Sequence, residues 1–600
     1  MHTPTSSQRC QPGLGSAPAT RMLPVSFDGC FGWLHPASDG RGSRVGVLLC
    51  QGLKSDALTG YRSFRLLANA LAKEGYPTLR FDYPGTGDSC DPDAAEHWTA
   101  WRQSIHSAVD WLRHHTGADQ VALCGLRFGA TLAAVVTAER IDVPGLILLA
   151  PVLRGRSYIR QLRMEAHNQP STAPDKASLV SHELRLSAET VRLISQVDLR
   201  RVVLAQGCRL AVYYQAMSPV LAECMECWRS RGTEVACNDF AGLEPLLRPS
   251  PWIHEASADV SRIVAWMRAS VRADSAPPRV LSMTRGAELR PSGCIETPLQ
   301  FGVDGNLFGM LCRPAGQTAA DLAVIMGNSA GDPHYGGARA SVNLARWLGA
   351  EGITSLRIDF AGLGDSVASD DVETHVLETD RRSDISASID ALEALGHRRF
   401  AAYGLCTGAF HAFHSALTDS RISALLLVNP PLFQWHTSQR IEFLSYSALT
   451  MSQFLQRLRP STIRRIGLAG LRARFPMVRA SLVSNAAAAL RRLAKPLGFA
   501  TPKSFTQASI ERLSQRVRML FLFSEGDEGI AVLDREFGQG AMPQGVSVQI
   551  VPRLDHALTG RDMQRIAAEH FVAFLSAGLL DSRTPDEAVL ALVSRVGSSS

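Results

Sequence analysis

Residues 79–89 read LRFDYPGTGDS and residues 356–366 read LRIDFAGLGDS, and seven of these eleven positions are identical. The two stretches are 277 residues apart, and a second matched pair keeps that offset: LANALAKEGY begins at Leu67, and LARWLGAEGI begins at Leu344. Because this period is far longer than the repeat of a solenoid, we expect each copy to be a whole domain.

The same alternation of apolar strands and helices runs through both copies. VGVLLCQG at 45–52 and DLAVIMGN at 321–328 are apolar runs that a helical pattern follows. A third matched pair, CGLRFGA at 124–130 and YGLCTGA at 403–409, ends an apolar run and begins a helix in each copy. This alternation predicts an α/β fold, with a mostly parallel, doubly wound sheet in each half.

Composition and turn residues indicate where the domains begin and end. The chain has 600 residues, of which 46% are apolar and 20% charged, as expected for two globular cores. The segment 271–293 is rich in Arg, Ser and Pro and is expected to be a linker. It separates a first domain at 23–270 from a second at 294–578. We expect 1–22 to be a disordered tail and 579–600 to be a C-terminal tail.

Several targeting and cofactor signals are missing from the sequence. No apolar run approaches the ~20 residues that span a bilayer, and the polar N-terminal stretch lacks the apolar core of a secretory signal. We therefore expect a cytoplasmic protein. The one cysteine cluster, Cys224, Cys227 and Cys237, lacks a fourth ligand, so no metal is expected. We find neither a P-loop nor a dinucleotide fingerprint in its proper context, and we expect no cofactor.

Each copy inserts a stretch with helical periodicity after its sixth strand, at about 152–208 and about 431–516. We expect these insertions to form helical caps. Between Pro431 and Arg518 there are thirteen Arg, two Lys, two Glu and no Asp, a formal charge of +13. Such charge is typical of solvated helix faces, but it also fits a surface that attracts an anionic substrate, a membrane or an acidic partner. No nucleic-acid-binding module accompanies it, so nucleic-acid binding is not expected.

The second copy carries a cysteine at a predicted strand-to-helix turn. GLCTG at 404–408 places Cys406 between two glycines, which allow a tight turn to pack against its neighbours. Such a turn exposes its central side chain above the sheet, and the following helix N-terminus stabilises a thiolate. The pattern therefore predicts a nucleophile. The alternative interpretation is a buried, unreactive cysteine beside a tight turn.

The repeated D-x-x-G-x-G-D-S turn, the GLCTG turn and the strand order resemble the α/β-hydrolase superfamily over most of the chain. Within it, the cysteine resembles the nucleophile of the dienelactone-hydrolase branch. GLRFGA and GLCTGA are also similar to the paired hydrolases of exosortase and exopolysaccharide systems. The resemblance implies that an acid follows the next-to-last strand and that a histidine follows the last one.

The second copy has both residues at these positions. Asp527 follows the strand MLFLFSEG, and His556 follows VSVQIVP. The resemblance implies that His556 accepts the thiol proton of Cys406 and that Asp527 holds the imidazole in the useful tautomer. The neighbours Asp555 and Glu528 are the alternative acids.

An oxyanion hole requires two backbone N–H groups. We expect the first from Thr407, the residue after the nucleophile, and the second from Asn328 or Ser329, between which the sequence does not choose. His334 and Tyr335 belong to the same loop. They are interpreted either as substrate contacts or as residues of a solvated loop.

The first copy lacks all three catalytic residues. Arg127 occupies the position of the nucleophile, and arginine cannot serve as one. The strand RLAVYYQAMSPV has no Asp at its end, and Pro245 aligns with His556. His254 and Glu255 lie nearby but nine residues too late. Arg127 is interpreted either as a cation that binds a carboxylate or phosphate ligand, or as the partner of a local carboxylate.

The repeated turn itself is assigned a structural role. Asp359, Asp365 and Ser366 each have an identical counterpart in the first copy. Because both copies keep these residues, including the copy without a nucleophile, they are expected to hold the fold rather than to take part in catalysis.

These observations predict a tandem α/β-hydrolase protein with one active and one degenerate domain. The expected reaction is hydrolysis of an ester, lactone or thioester of a small acyl substrate, and the basic cap favours an anionic substrate. The first domain is expected to dock on the second. Two alternatives stay open: acyl transfer through the same acyl-cysteine, and a non-catalytic scaffold or ligand sensor.

Overall fold

The computed structural model describes residues 22–38, 43–92, 96–166, 177–181, 184–243, 246, 257–271, 287–316, 321–367, 377, 379–434, 503–538 and 542–579. Apart from Met22 and Leu579, the predicted tails therefore lie outside the described residues, as do most of the predicted linker and most of the second cap. So do Pro245, His254 and Glu255.

The first domain begins with an antiparallel hairpin and continues as alternating strands and helices. Its strands are β1 Leu23–Phe27, β2 Cys30–His35, β3 Val45–Cys50, β4 Thr78–Phe81, β5 Gln120–Leu126, β6 Gly145–Leu149, β7 Leu179–Ser181, β8 Leu184–Leu186, β9 Arg209–Tyr214 and β10 Val235–Asp239. Its helices are α1 Ser55–Lys73, α2 His97–Thr116, α3 Phe128–Thr137, α4 Gly155–Ala166, α5 Ala188–Gln196, α6 Pro219–Ser230 and α7 Ser257–Ser270, with a 3-10 turn at Leu199–Arg201.

The second domain repeats this succession. Its strands are β11 Cys294–Phe301, β12 Leu307–Pro314, β13 Leu322–Met326, β14 Thr354–Asp359, β15 Arg399–Leu405, β16 Ile422–Val428, β17 Arg518–Ser524 and β18 Val546–Val551. Its described helices are α8 Ala340–Ala350, α9 Arg382–Ala394, α10 Thr407–Thr418, α11 Phe505–Ser514, α12 Glu528–Phe537 and α13 Arg561–Leu579, with 3-10 turns at Val303–Gly305 and Gly337–Arg339.

The two large sheets have eight strands each and the same strand order. The order is β1-β2-β4-β3-β5-β6-β9-β10 in the first domain and β11-β12-β14-β13-β15-β16-β17-β18 in the second. The first two strands of each sheet pair antiparallel, and the other strands run parallel from β4 and β14 onward. The predicted fold class, two tandem α/β domains with mostly parallel sheets, is confirmed.

Both faces of the second sheet are covered by apolar clusters. Along β13, Ile325 belongs to one cluster and Val324 to the other, and Phe521 and Leu522 alternate in the same way along β17. Successive side chains of a strand point to opposite faces, so this alternation requires helices on both sides of the sheet. No helix among the described residues combines the length and apolar character that crossing a bilayer requires.

The insertion of the first domain differs from the predicted helical cap. Besides α4 and α5 it contains a small antiparallel sheet, in which β7 pairs with β8. The physical reason is visible in its sequence: Leu184 and Leu186 are buried while Arg185 between them is exposed. That period of two is typical of a strand rather than a helix.

The repeated D-x-x-G-x-G-D-S turn has the structural role that its duplication predicted. In the second domain, the Asp359 carboxylate accepts a hydrogen bond from the N–H of Asp365, and Ser366 Oγ accepts one from the N–H of Phe308. The first domain makes the equivalent bond between Asp88 N–H and Asp82. The turn therefore joins the end of one strand to its antiparallel neighbour.

Two reciprocal ion pairs connect these turns across the two domains. Arg80 of the first domain donates to Asp365 at 2.5 Å, and Arg357 of the second donates to Asp88 at 2.6 Å. Arg80 and Arg357 are matching residues of the duplicated stretches. All four side chains are at most 1% exposed, so these charges are compensated by ion pairs rather than by water. Arg357 also pairs with Glu296 of its own domain.

Aromatic side chains pack beside these ion pairs. Phe31 and Phe308, which are also matching residues, lie with ring centroids 6.5 Å apart, and Trp33 packs edge-on against Phe308 at 4.7 Å. In this structure the contact between the domains thus combines an apolar cluster with buried ion pairs.

We predict that Gly364→Ala destabilises the protein strongly. Gly364 has a φ of +46°, and a Cβ there would collide with the Asp359 carboxylate. The expected loss is about 3 kcal/mol. Gly316→Ala is the control, because Gly316 also has a positive φ of +74° but nothing lies within 4 Å of its Cβ position, so only about 1 kcal/mol of backbone strain is expected. Chemical denaturation measures both, and equal losses would contradict the role assigned to the turn.

Candidate functional site

Cys406 lies at the apex of a strained turn between β15 and α10. Its φ and ψ are 55° and −116°, a conformation that non-glycine residues rarely adopt. Its N–H donates to the carbonyl of Val428 at 2.9 Å, which fixes the turn against the neighbouring strand. A side chain at Gly404 would collide with the backbone at Gly408. The sequence GLCTG folds in this way because only glycine leaves room for this close approach.

His556 is held by Asp527. His556 Nδ1 donates to Asp527 Oδ2 at 2.7 Å, and the other carboxylate oxygen accepts from the N–H of Gly529 at 2.9 Å. The Asp527 side chain is 4% exposed and that of His556 is 50% exposed. The acid is therefore fixed in the structure, while the imidazole is open to a substrate.

The imidazole of His556 also interacts with Cys406. The hydrogen bond to Asp527 and the proximity of Cys406 raise the pKa of His556 from its ordinary value to about 10, although burial lowers it. The imidazolium is therefore the stable form at neutral pH. Cys406 is partly exposed, so the structure brings together a reachable sulfur, an imidazole and a carboxylate in the order that the sequence predicted.

The alternative acids are less well placed for this contact. The Asp555 carboxylate accepts hydrogen bonds from the N–H of Thr559 at 2.9 Å and from its hydroxyl. Glu528 is the first residue of α12, where Asp527 is the N-cap. The carboxylate that bonds the imidazole is that of Asp527.

Asn429 is a residue of the site that the sequence analysis missed. Its amide donates to the carbonyl of His556 at 2.9 Å and accepts from the N–H of Ser524 at 2.8 Å. It thereby ties the loop of the histidine to the strand end that precedes the acid. The duplication offered one signal, because the first copy has Ala150 at the matching position. In the structure both residues have a φ of 45°.

The loop after β13 begins against the turn of Cys406. The N–H of Ala330 donates to Thr407 Oγ1 at 2.7 Å, and the carbonyl of Asn328 would lie 2.8 Å from a Cβ at Gly408. Thr407 is the first residue of α10, where backbone N–H groups have no acceptor within the helix. Thr407 thus belongs to the turn, Asn328 packs against it, and Ser329 is the next residue in the chain. Which N–H groups form the oxyanion hole stays a prediction.

His334 and Tyr335 are not in a solvated loop, so that interpretation is wrong. They are 2% and 5% exposed, respectively. His334 donates from Nδ1 to Asp359 at 2.8 Å and from Nε2 to Asp88 of the first domain at 2.6 Å. Burial lowers the pKa of His334, but the two carboxylates outweigh it and hold the pKa well above its ordinary range. The loop therefore bonds to the first domain rather than facing water.

The first domain has the same turn after β5, but the residue at its apex is an arginine near a carboxylate instead of a nucleophile. Arg127 has a φ of 54° and a ψ of −117°, within one degree of Cys406. Its Nε lies 3.5 Å from the carboxylate of Asp56. Nearby, Lys54 donates to Glu165 at 2.6 Å. The structure thus contains the local carboxylate partner that one interpretation of Arg127 required.

Three buried side chains approach each other closely enough to bind a cation. They are His334, Asp359 and Asp365. Their ligand atoms are already engaged, because Asp365 accepts from Arg80, and His334 donates from both ring nitrogens. We interpret the cluster as an ion-pair network. Among the cysteines of the predicted cluster, Cys237 contacts the sulfur of Met225 at 3.3 Å.

The two sheets and the strained turns after β5 and β15 define an α/β hydrolase. Family comparisons agree with this class. The family described as serine aminopeptidase, S33, matches residues 44–205, and the one described as alpha/beta hydrolase family matches residues 327–569. Each match lies in one half of the chain. The chain therefore belongs to the α/β-hydrolase superfamily and carries two of its domains in tandem, and we class it as a hydrolase enzyme.

Three similar solved structures each cover less than half of this chain and at least 90% of their own. Est1E from Butyrivibrio proteoclasticus, bound to ferulic acid, has 14% identity and a TM-score of 0.33, covering 42% of this chain and 99% of that one. A Xanthomonas campestris α/β serine hydrolase without a lid has 13% identity and a TM-score of 0.28, covering 44% and 100%. A Pyrococcus furiosus esterase has 13% identity and a TM-score of 0.28, covering 47% and 90%. No curated protein matches the chain.

We predict that Asp527→Asn lowers the pKa of His556 from about 10 toward the ordinary value near 6.5. The amide removes the carboxylate that favours the imidazolium, so the ring loses its proton at lower pH. NMR titration of histidine-labelled protein measures the change, with His556→Gln identifying the signal. Asp555→Asn is the control and is expected to leave the titration unchanged. An unaltered midpoint in Asp527→Asn would show that the carboxylate does not act on this ring.

Proposed function

We propose that the second domain hydrolyses a carboxylic ester, lactone or acyl thioester through Cys406, His556 and Asp527. The observation that carries the proposal is the hydrogen bond of His556 to Asp527 at 2.7 Å, on an imidazole whose pKa is raised by the proximity of Cys406 at the apex of the strained turn. A thiolate beside an imidazolium is the reactive pair of cysteine hydrolases, and a carboxylate on Nδ1 keeps Nε2 directed at the sulfur.

The proposed reaction has two steps. In the first, the sulfur of Cys406 attacks the carbonyl carbon, a carbon–sulfur bond forms, and the bond to the leaving group breaks. His556 gives its proton to the departing alkoxide or thiolate. In the second, water attacks the acyl carbon while His556 accepts its proton, and the Cys406 sulfur leaves as a thiolate. Backbone N–H groups at Thr407 and in the loop after β13 stabilise the charge on the carbonyl oxygen in both steps.

The proposed substrate is a small acyl compound with an anionic group. The support is the charge of +13 between residues 431 and 518, most of which lies outside the described residues. We also propose a cytoplasmic location. All eleven cysteines that the structure describes are free, which suits a reducing compartment and a catalytic thiol.

We further propose that the first domain docks on the second in solution. The buried ion pairs Arg80–Asp365 and Arg357–Asp88 support this, since either domain alone would expose or strand these charges. The absence of a nucleophile at Arg127 favours a supporting role for the first domain over a second active site.

Cys406→Ala is expected to abolish hydrolysis of nitrophenyl esters and short acyl thioesters, with a loss of at least about 1,000-fold in kcat. Intact-mass analysis should detect an acyl adduct on the parent protein and none on the Cys406→Ala variant. Cys237→Ala, which changes an exposed cysteine on β10, is the control and should keep both the activity and the adduct. Undiminished turnover by Cys406→Ala would refute the assignment.

Docking is tested by cutting the chain between the domains. A protease site inserted within 272–286 allows cleavage after folding, and the two fragments are expected to co-elute on gel filtration. Arg80→Ala should separate them, because it leaves Asp365 buried without its cation. Arg185→Ala is the control, since it removes a half-exposed ion pair to Asp562 that contributes little. Fragments of the parent protein that elute apart would contradict docking.

A further inference from the structure

The loop between β13 and α8 is one element of the second domain that touches both the proposed nucleophile and the first domain. At its start, the N–H of Ala330 bonds to the hydroxyl of Thr407, next to Cys406. Asn328 is anchored as well, since its amide donates to Asp359 at 2.8 Å. The start of this loop therefore determines where its backbone N–H groups point relative to the sulfur.

The far part of the same loop is held by the first domain. His334 bridges Asp359 and Asp88, and the buried guanidinium of Arg339 donates to the carbonyls of Gly87 and Ser89 at 2.8 and 2.7 Å. Both contacts reach the repeated turn of the first domain. Five residues lie between Asn328 and His334, and three between Ala330 and His334. The Asn328 amide also donates to the carbonyl of Asp332 at 2.8 Å, so a short, hydrogen-bonded segment connects the two parts of the loop.

The duplication shows that this loop differs from its counterpart. At the offset of 277, residues 332–339 match residues 55–62, which form the first two turns of α1. In the second domain the matching helix begins only at Ala340. The backbone also adopts positive φ at Ala330, Ala338 and Arg339, conformations that cost energy and persist only where surrounding contacts impose them. The catalytic copy thus replaces helix with a strained loop that reaches the other domain.

We propose that the first domain positions the oxyanion hole of the second, through the hydrogen bond of His334 to Asp88. Asp88 and His334 are then positioning residues, which touch no substrate and act through the backbone of residues 328–330. This inference rests on the proposed cysteine chemistry. It gives the domain without a nucleophile a defined task in the reaction of its partner.

The test compares two reactions of Cys406 in the full-length protein. Acylation by a nitrophenyl ester develops charge on a carbonyl oxygen and needs the oxyanion hole, whereas alkylation by iodoacetamide displaces iodide and does not. Asp88→Asn and His334→Gln are expected to slow acylation by about 100-fold and to change alkylation less than about two-fold. The loss should appear in kcat rather than KM, because the ground-state carbonyl is not yet charged.

Arg185→Ala is the matched control, because its ion pair with Asp562 also joins the two domains but does not involve the loop. It should keep both rates. His334→Gln decides the matter if Asp88→Asn does not fold, since it leaves Asp88 paired with Arg357.

The outcomes separate this inference from the proposed function. If the parent protein forms no acyl adduct on Cys406, the proposed chemistry fails. If the parent protein is acylated and the two variants are acylated equally fast, the positioning role is overturned. Equal losses of acylation and alkylation would also overturn it, because the contact would then support the whole site rather than the oxyanion hole.

Discussion

The buried ion pairs between the two repeated turns are the constraint on which the arrangement of this protein depends. Asp88 accepts from both Arg357 and His334, and although burial opposes it, these cations hold the pKa of Asp88 well below its usual range. A carboxylate buried to this degree is stable only while its partners remain. The carboxylate belongs to one domain and the cations to the other, and one of these cations, His334, lies in the loop after β13.

The sequence was sufficient for the fold and for the order of the candidate catalytic residues. Periodicity and the duplication predicted the strands and helices, and Cys406, Asp527 and His556 each follow a strand at a recognisable position. The contact between His334 and Asp88 was not predictable, because 246 residues separate the two and only the docked arrangement brings them together. Asn429 was missed for another reason: its role lies in two backbone contacts, which no motif records.

The first domain shows that a backbone conformation can remain after its chemistry is lost. Arg127 keeps the dihedral angles of the nucleophile position to within one degree, because the glycines and strands around the turn impose them. The side chain is free to change once no reaction depends on it. An ion pair with Asp56 then satisfies the new charge, and the fold is retained without a nucleophile.

Phe31 and Phe308 occupy matching positions of the two copies, and their rings meet. A residue contacts its own duplicate only near a two-fold axis, which is the symmetry of a dimer built from identical subunits. In such a homodimer every substitution would occur twice, and losing the nucleophile would silence both subunits. Once two copies share one polypeptide, each can mutate alone, so one half can specialise as support while the other keeps the reaction.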